Sequence, residues 1–497
     1  MGYLKGTNRE QCGLWVLEDM VDGESMARVI DRYIEVLNLR QLGFTRTIPA
    51  DTGRPAYPPQ ALCKLYVYGY ENGIRSSRKL EREARRNVEV MWLLEGLTPD
   101  YKTISEFRRE NVRPLQKLFQ EFVRLCKSWE LVGGELIAVD GTKIKASNNK
   151  KMNFSRKKLT ERLTRLDEKI AEYMTEAEAA DHLEEPNSGA APAGLAELLS
   201  RKERYEGYLA QMDETCCNEV SAVDPDARLM GNNRGGVDMA YNIQSAVDGK
   251  HDLVLDYHVS QSPADQNQLG YMVKRVKKLG YKRFTVVADK GYYNGRDLTK
   301  VKRYKIKAVV SRQKAPNKKD QPEELHSDKF QYDTAQDIYL CPMGQTLYSH
   351  SKKSAKRRNY FNKTACADCP QKSTCTKGKR SYRTITRSQY SRIYEEADRN
   401  FADNLALYKL RQQMVEHPFG TVKHALDGGY FLLRTRRKVR SEVALLFLGY
   451  NLKRVVKVLG FRGIMDSLKA VARGAFCVLS HLRKFLIKSL YSVLNAA

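Results

Sequence analysis

Apolar positions between residues 24 and 128 recur at helical spacing. Met26, Val29, Ile30, Tyr33, Ile34 and Leu37 mark one buried helix face. Pro58 and Pro59 open another helix, which carries Leu62, Leu65, Tyr66 and Tyr70. Thr103 and Glu106 form a capping-box pattern, predicting a helix from Ser105 through Phe107, Leu115, Phe119 and Phe122. At residue 135 the period changes. Leu136, Ile137, Ala138 and Val139 form a short apolar run, read as a buried strand that ends at Asp140-Gly141-Thr142. Residues 155–213 are charged and helix-forming, broken by Pro186-Asn187-Ser188-Gly189 and Pro192, which predicts a helical hairpin after the first strand. Two strands come next, Met239 to Val247 and Leu253 to Ser260, joined by the turn signal Asp248-Gly249. Leu269, Met272, Val273, Val276 and Leu279 place a helix over 264–279. Phe284 to Ala288 is a further strand ending at Asp289, and Ile306 to Val310 a fifth. Residues 312–390 lose the pattern and are polar, basic and rich in Tyr and Cys; 391–425 and 441–459 return to helix. This order predicts an α/β core built on a mixed sheet.

Charge narrows the function. Lys and Arg total 86 against 59 Asp and Glu, a formal net charge of +27 over 497 residues. Such an excess opposes compaction by self-repulsion, so it implies a polyanionic partner, DNA or RNA. Met1 to Met20 lacks the clean apolar run of a secretory signal. The apolar C-terminal tail is interrupted by Arg473, His481, Arg483, Lys484 and Lys488, and reads as a basic amphipathic or packed helix, with no membrane partner. The ten cysteines are then expected to be reduced in a cytoplasm, and any cluster among them points to metal before disulfide.

Breaking a phosphodiester needs an activated water or hydroxyl and neutralisation of charge on the attacking and leaving oxygens. Two divalent metals roughly 3.5–4 Å apart do both. Mg²⁺ takes oxygen ligands and keeps several waters, so a few converging carboxylates suffice. Asp140 and Asp289 each follow an apolar strand, where a rigid backbone presents a side chain to solvent. For either alone a turn or cap role is the better reading. Two in one α/β region strengthen the catalytic one. A third ligand is expected from a neighbouring helix, with Glu416 in Met414-Val415-Glu416-His417-Pro418 the best candidate. Pro418 should kink that helix just after the glutamate.

The segments AVDGTKIKAS (138–147), AYNIQSAVD (240–248), VVADKGYYN (286–294) and VEHPFGTVK (415–423) resemble, in this order, those of DDE-type insertion-sequence transposases. The resemblance implies an RNase H-like catalytic domain and assigns Asp140, Asp289 and Glu416 as the metal-binding catalytic set for Mg²⁺ or Mn²⁺. Many members carry a Tyr, an Arg and a Lys around the glutamate; Tyr408, Arg411 and Lys423 fit, although four residues separate Arg411 from Glu416, one more than the commonest form. TPDYKTISEFRRE (98–110) looks like the helical N-terminal domain of this branch and EVALLFLGYNLKRVV (442–456) like its closing helix. The expected organisation is a helical DNA-binding domain over 1–130, an RNase H-like catalytic domain over 131–460, and a helical tail over 461–497. The catalytic domain would carry a helical-hairpin insertion at 150–230 and a basic, Cys-containing insertion at 312–390.

The family sets that second insertion between the last core strand and the glutamate helix. Its 351–380 stretch has ten Lys and Arg against the single acid Asp368, so Lys352, Lys353, Lys356, Arg357 and Arg358 are candidates for DNA backbone contact. Arg75, Arg78, Arg82 and Arg85 in the N-terminal helices are candidates for reading element ends, set equally against a solvated helix face. Cys341, Cys366, Cys369 and Cys375 follow C-x24-C-x2-C-x5-C. They read either as a structural Zn²⁺ site or as reduced, partly buried thiols. The resemblance implies an enzyme that binds double-stranded element ends, as a homodimer on DNA in a bacterial nucleoid. It would cleave a strand and join the 3′-OH to target DNA. The alternatives are an RNase H-like nuclease or resolvase without strand transfer, an inactive transposase-derived DNA-binding protein, and a coiled-coil interaction protein resting only on 155–213.

Overall fold

The computed structural model describes residues 16–494 except 50, 53–54, 182–192, 216, 233–234, 313–321, 353 and 377–380; for 176–181, 193 and 474–494 it describes the backbone alone. It is a mixed α/β structure. Lys353 lies outside the described residues, as does the Pro186–Gly189 break. The chain divides into two compact units. One comprises Met1–Gly133, Gly141–Pro263 and Met414–Ala497, the other Gly134–Asp140 and Ala264–Gln413. Among the described residues no helix is long and apolar enough to cross a membrane.

Among the described residues the first unit has seven helices between Met26 and Ser128. The Met26–Glu35 helix starts where Ser25 Oγ accepts the Ala27 N–H at 3.0 Å, satisfying a donor that the helix end would otherwise leave open. The helix expected from Ser105 begins earlier, at Tyr101. Asp100, not Thr103, is its cap: Asp100 Oδ1 accepts the Thr103 N–H at 2.8 Å, and a carboxylate caps as well as a hydroxyl does. Pro59–Glu71 is buried on nearly every side. Of its buried tyrosines, Tyr70 has a hydroxyl without a hydrogen-bond partner, whereas Tyr66 has one. Tyr66 OH donates to the Ile104 carbonyl at 2.7 Å, as Tyr33 OH does to Leu118 at 2.5 Å. These helices pack on strand Val254–Ser260 through Phe119, which meets Tyr257 edge-on at 5.4 Å, and both rings meet Phe447 of the closing helix. That helix begins at Arg436 and is interrupted at Gly460, whose φ of 70° and ψ of 168° suit a residue without a Cβ.

Strand Val237–Asp248 pairs antiparallel with Arg228–Gly231 and with Val254–Ser260. The connection at Asp248-Gly249 is longer than a two-residue turn. Asp248 Oδ2 accepts the N–H groups of Lys250 and Gly133 at 2.9 and 3.0 Å, and the pairing resumes at Leu253. The buried Asn451 amide pairs with both backbone groups of Val254 at 3.0 and 2.9 Å, standing in for a neighbouring strand. The helical hairpin appears as Arg156–Asp181 and Ala193–Thr215, with a small core of Phe154, Leu159, Met212 and Val220.

In the second unit three parallel strands lie side by side. Leu136–Val139 registers with Thr285–Ala288, which registers with Lys307–Val310. Covered on both faces, such strands read as continuous apolar runs, as the sequence pattern indicated. The first strand does not stop at Asp140, however. It runs to Lys145, because its second half belongs to the first unit and lies beside Val237–Asp248. Residues 322–388 are not irregular: short strands from Gln331 to Ser388 form a five-stranded antiparallel sheet around Phe330, Tyr339, Leu347, Tyr360 and Ile385. Helix Leu269–Lys278 has no cap of its own. The buried Asp297 supplies one, accepting from the Leu269 and Gly270 N–H groups at 2.9 and 3.0 Å.

Candidate active site

The parallel ladder ends in the pair Val139↔Ala288, and Asp140 and Asp289 are the next residues along the two chain segments, so the two carboxylates follow the last pair at matching positions. Asp140 keeps 23% of its side-chain exposure and Asp289 41%. Asp289 continues into a short 3-10 turn, Lys290–Tyr292, whose first N–H it accepts at 2.7 Å. That bond holds the carboxylate at the strand end, where a turn begins.

Helix Leu405–Gly420 brings the counter-charge. Arg411 Nη1 lies 3.2 Å from Asp140 Oδ2, and its Nη2 lies 4.0 Å from Asp289 Oδ1. Tyr408, three residues earlier, donates its hydroxyl to Asp289 Oδ1 at 3.4 Å, and its ring lies 5.6 Å from the Arg411 guanidinium. One guanidinium thus spans two carboxylates that would otherwise repel each other. Arg411 Nε is buried without a hydrogen-bond partner. A divalent cation suits this donor set, which is two hard oxygen ligands on rigid strands with solvent access. Among the described residues no three His, Cys, Asp or Glu side chains are gathered closely enough to hold a metal ion as they stand.

Glu416 follows Arg411 on the same helix and is exposed; it belongs to the first unit, as does Lys423. The helix continues through Pro418 to Gly420. The change expected just after the glutamate comes at Thr421, where five residues through Ala425, Lys423 among them, take a π-helical turn. Proline removes a hydrogen bond from the helical ladder, and a widened turn re-spaces the side chains beyond it.

The arginines of the N-terminal helices separate into two classes. Arg78, Arg82 and Arg85 are exposed, with Arg85 paired to Glu81 at 3.3 Å. Arg75 is not available to DNA. It keeps 1% of its side-chain exposure and pairs at 3.0 Å with Glu442, which keeps none. It also donates to the Tyr430 carbonyl at 2.7 Å and lies over the Tyr430 ring. Glu442 accepts from the Leu432 and Leu433 N–H groups at 3.1 and 3.0 Å, and burial pushes its carboxyl up. The sequence held a sign of this. Glu442 is in helical phase with the buried Leu445, Leu446 and Gly449, so it needed a buried cation.

In the insertion, Lys352, Lys356 and Arg357 are exposed, whereas Arg358 is half-buried and ion-paired with Asp337. Cys341, Cys366, Cys369 and Cys375 line one small apolar cavity together with Phe330 and Leu347. Cys341 Sγ accepts the Gln345 N–H at 3.3 Å across the Pro342-Met343-Gly344 turn. Four thiols suit zinc as a donor set, although they do not close on one point here.

Residues 15–110 match the family model of a transposase domain (DUF772), and residues 340–456 match that of a transposase DDE domain. No curated protein matches the chain. A solved structure described as a piggyBac transposase synaptic complex with hairpin DNA aligns over 89% of this chain and 82% of that one, at 12% identity and a TM-score of 0.23, too distant to inform the geometry. The chain thus carries a match to a transposase domain near one end and a match to a transposase DDE domain towards the other.

Proposed function

We propose that this protein is a DNA transposase, which binds the ends of its element, hydrolyses a strand to free a 3′-OH, and joins that hydroxyl to target DNA. The observation that carries the reading is the pair Asp140 and Asp289, at matching positions after the last pair of the parallel ladder and spanned by Arg411. Asp140, Asp289 and Glu416 would hold Mg²⁺ or Mn²⁺. Those ions supply charge neutralisation and an activated water or hydroxyl. An RNase H-like core is supported by the strand types, antiparallel strands in the first unit and parallel strands in the second.

The chain's own residues have separable tasks. The strand-end backbone fixes the carboxylates. Arg411 neutralises them until a cation and a phosphate arrive, then holds a phosphate with Lys423, while Tyr408 orients Asp289. Arg78, Arg82 and Arg85 meet the element end, and Lys352 and Arg357 the backbone beyond. The enzyme works as a homodimer, one copy on each double-stranded end. A structural Zn²⁺ on Cys341, Cys366, Cys369 and Cys375 is supported by their sharing one cavity and by the N–H bond to Cys341 Sγ.

The test is cleavage of a labelled element end with Mg²⁺, followed by joining to a target plasmid. Asp140→Asn, Asp289→Asn and Glu416→Gln should each abolish cleavage and keep DNA binding, since each removes charge and keeps shape. A single variant that cleaves at the wild-type rate is not a ligand. Cleavage without joining would make the protein a nuclease instead.

A further inference from the structure

The insertion contains a cavity of about 410 Å³ that the carboxylate site does not use. It is lined by Lys356, Arg358, Arg387 and Arg392, with Tyr332 and hydroxyl groups such as Ser354 between them, and by no carboxylate among the described residues. Two of the four cations are already matched. Arg358 pairs with Asp337, which also accepts from Tyr332 and Tyr360 at 2.8 and 2.7 Å. Arg387 keeps 8% of its side-chain exposure, pairs with Glu395 at 2.5 Å, and lies 3.6 Å over the Tyr332 ring. These two build the wall. Lys356 and Arg392 are exposed, and neither has a carboxylate partner among the described residues. Their charge is open to a ligand.

Two further features favour an anion. Helix Ser391–Asp403 begins at this cavity with no side-chain cap and no acid in its first turn, so its N–H groups add positive potential. The walls are held by part-buried ion pairs, Arg358 with Asp337 and Arg387 with Glu395, so these two cations are fixed before a ligand binds. The volume exceeds that of one phosphate and lies within the range of small-ligand pockets. Lys352 and Arg357, close to Lys356 in the chain, are exposed as well, and a chain of phosphates can use such neighbouring charges where an isolated anion cannot.

We propose that this cavity takes one phosphodiester of a DNA strand with its sugar, Lys356 and Arg392 meeting the phosphate oxygens and Arg387 the sugar side. The inference rests on the reading of the protein as a DNA-processing enzyme and adds a second anchoring point within the insertion.

The test uses the full chain and a fluorescent duplex, titrated at several salt concentrations. Each neutralised phosphate contributes roughly −0.9 to the log–log slope. Lys356→Gln with Arg392→Gln should therefore flatten the slope by about 1 to 2, the lower figure if both cations share one phosphate. Lys356→Arg with Arg392→Lys should keep it. Lys274→Gln with Lys278→Gln, an equal charge loss on an exposed helix elsewhere, should change it less. Inorganic pyrophosphate should compete with the duplex on the wild type and lose that effect on the Gln pair. An unchanged slope in a folded Gln pair overturns the proposal. So does an equal change in the control pair, or pyrophosphate binding that leaves DNA affinity untouched. Mg²⁺-dependent cleavage by the wild type is read separately. Its absence would sink the transposase reading and leave the cavity result standing.

Discussion

Replacing Arg75 by Met separates the two roles an arginine at this position could have. Methionine keeps much of the volume and removes the charge. Glu442 would then remain fully buried, with only the Leu432 and Leu433 N–H groups as close donors. Breaking one side of a buried pair costs about 3–5 kcal/mol, because the remaining charge is uncompensated. Glu442→Gln should cost less, because Arg75 keeps Asp427 at 3.4 Å and the Tyr430 carbonyl as partners. The double change Arg75→Met with Glu442→Leu removes both charges and should be less damaging than either single change. The carboxyl is already pushed up by burial, with Arg75 the main group pulling it down. Without Arg75 it rises further. A raised folded-state value binds protons in the fold, so the Met variant should be most stable below the ordinary carboxyl range and lose stability as pH rises through the raised value. Urea unfolding followed by circular dichroism, with exchange of the Leu432 and Leu433 amides, measures these terms. Since Arg75 is buried, the salt slope of DNA binding should not change in the Met variant while it remains folded. Destabilisation below about 1 kcal/mol, a double variant worse than both singles, or a flattened salt slope would refute the argument.

Arg411→Gln should tighten Mg²⁺ binding on the order of tenfold, about 1.4 kcal/mol, by removing the cation that competes for Asp140 and Asp289; an unchanged midpoint in a thermal-shift titration counts against that competition. Gly295→Ala drives a Cβ into that of Tyr390, closer than van der Waals contact, and should cost about 1–3 kcal/mol in denaturant unfolding. The Arg358 guanidinium holds the Asp337 carboxyl down to about 2, so its stabilisation is complete above the ordinary 3.8 and lost as pH falls through 2. Near-ultraviolet circular dichroism of the surrounding tyrosines should report that loss, and Asp337→Asn should lack it. Freshly reduced protein should carry close to one zinc per chain, and Cys366→Ser should lose it; metal analysis without zinc would leave four ordinary thiols.

The helices before residue 128 and the three apolar strand cores were legible because burial on one face, or on both, imposes a period. What escaped was set by partners distant in sequence. Asp140 looked like a strand end because the apolar run stops there, but the strand continues as an alternating segment beside another strand. The basic run at 75–86 looked uniform, yet Arg75 alone is buried, through a glutamate 367 residues away. The five-stranded insertion sheet has strands of only three to five residues, too short to show alternation. Arg387 and Arg392 gave no separate signal, because a cavity depends on which charges have already been neutralised. Among the active-site candidates, Asp140, Asp289, Tyr408 and Arg411 lie together; the structure describes Glu416 and Lys423 in the first unit.

The ion pair also bears on synthesis. Arg75 leaves the ribosome 367 residues before Glu442. At about 5–20 residues per second, that interval lasts roughly 20–70 s. During it, the N-terminal helices cannot bury Arg75 against its native partner, and their closing helix does not yet exist. They must wait partly assembled, or be sheltered, until the far end of the chain arrives. A product truncated before residue 427 would keep the Tyr101–Glu110 helix and its cap but lack both carboxylates, Asp427 and Glu442, that pair with that guanidinium. Completion of the nascent chain is thus a condition for finishing its first-made helical module.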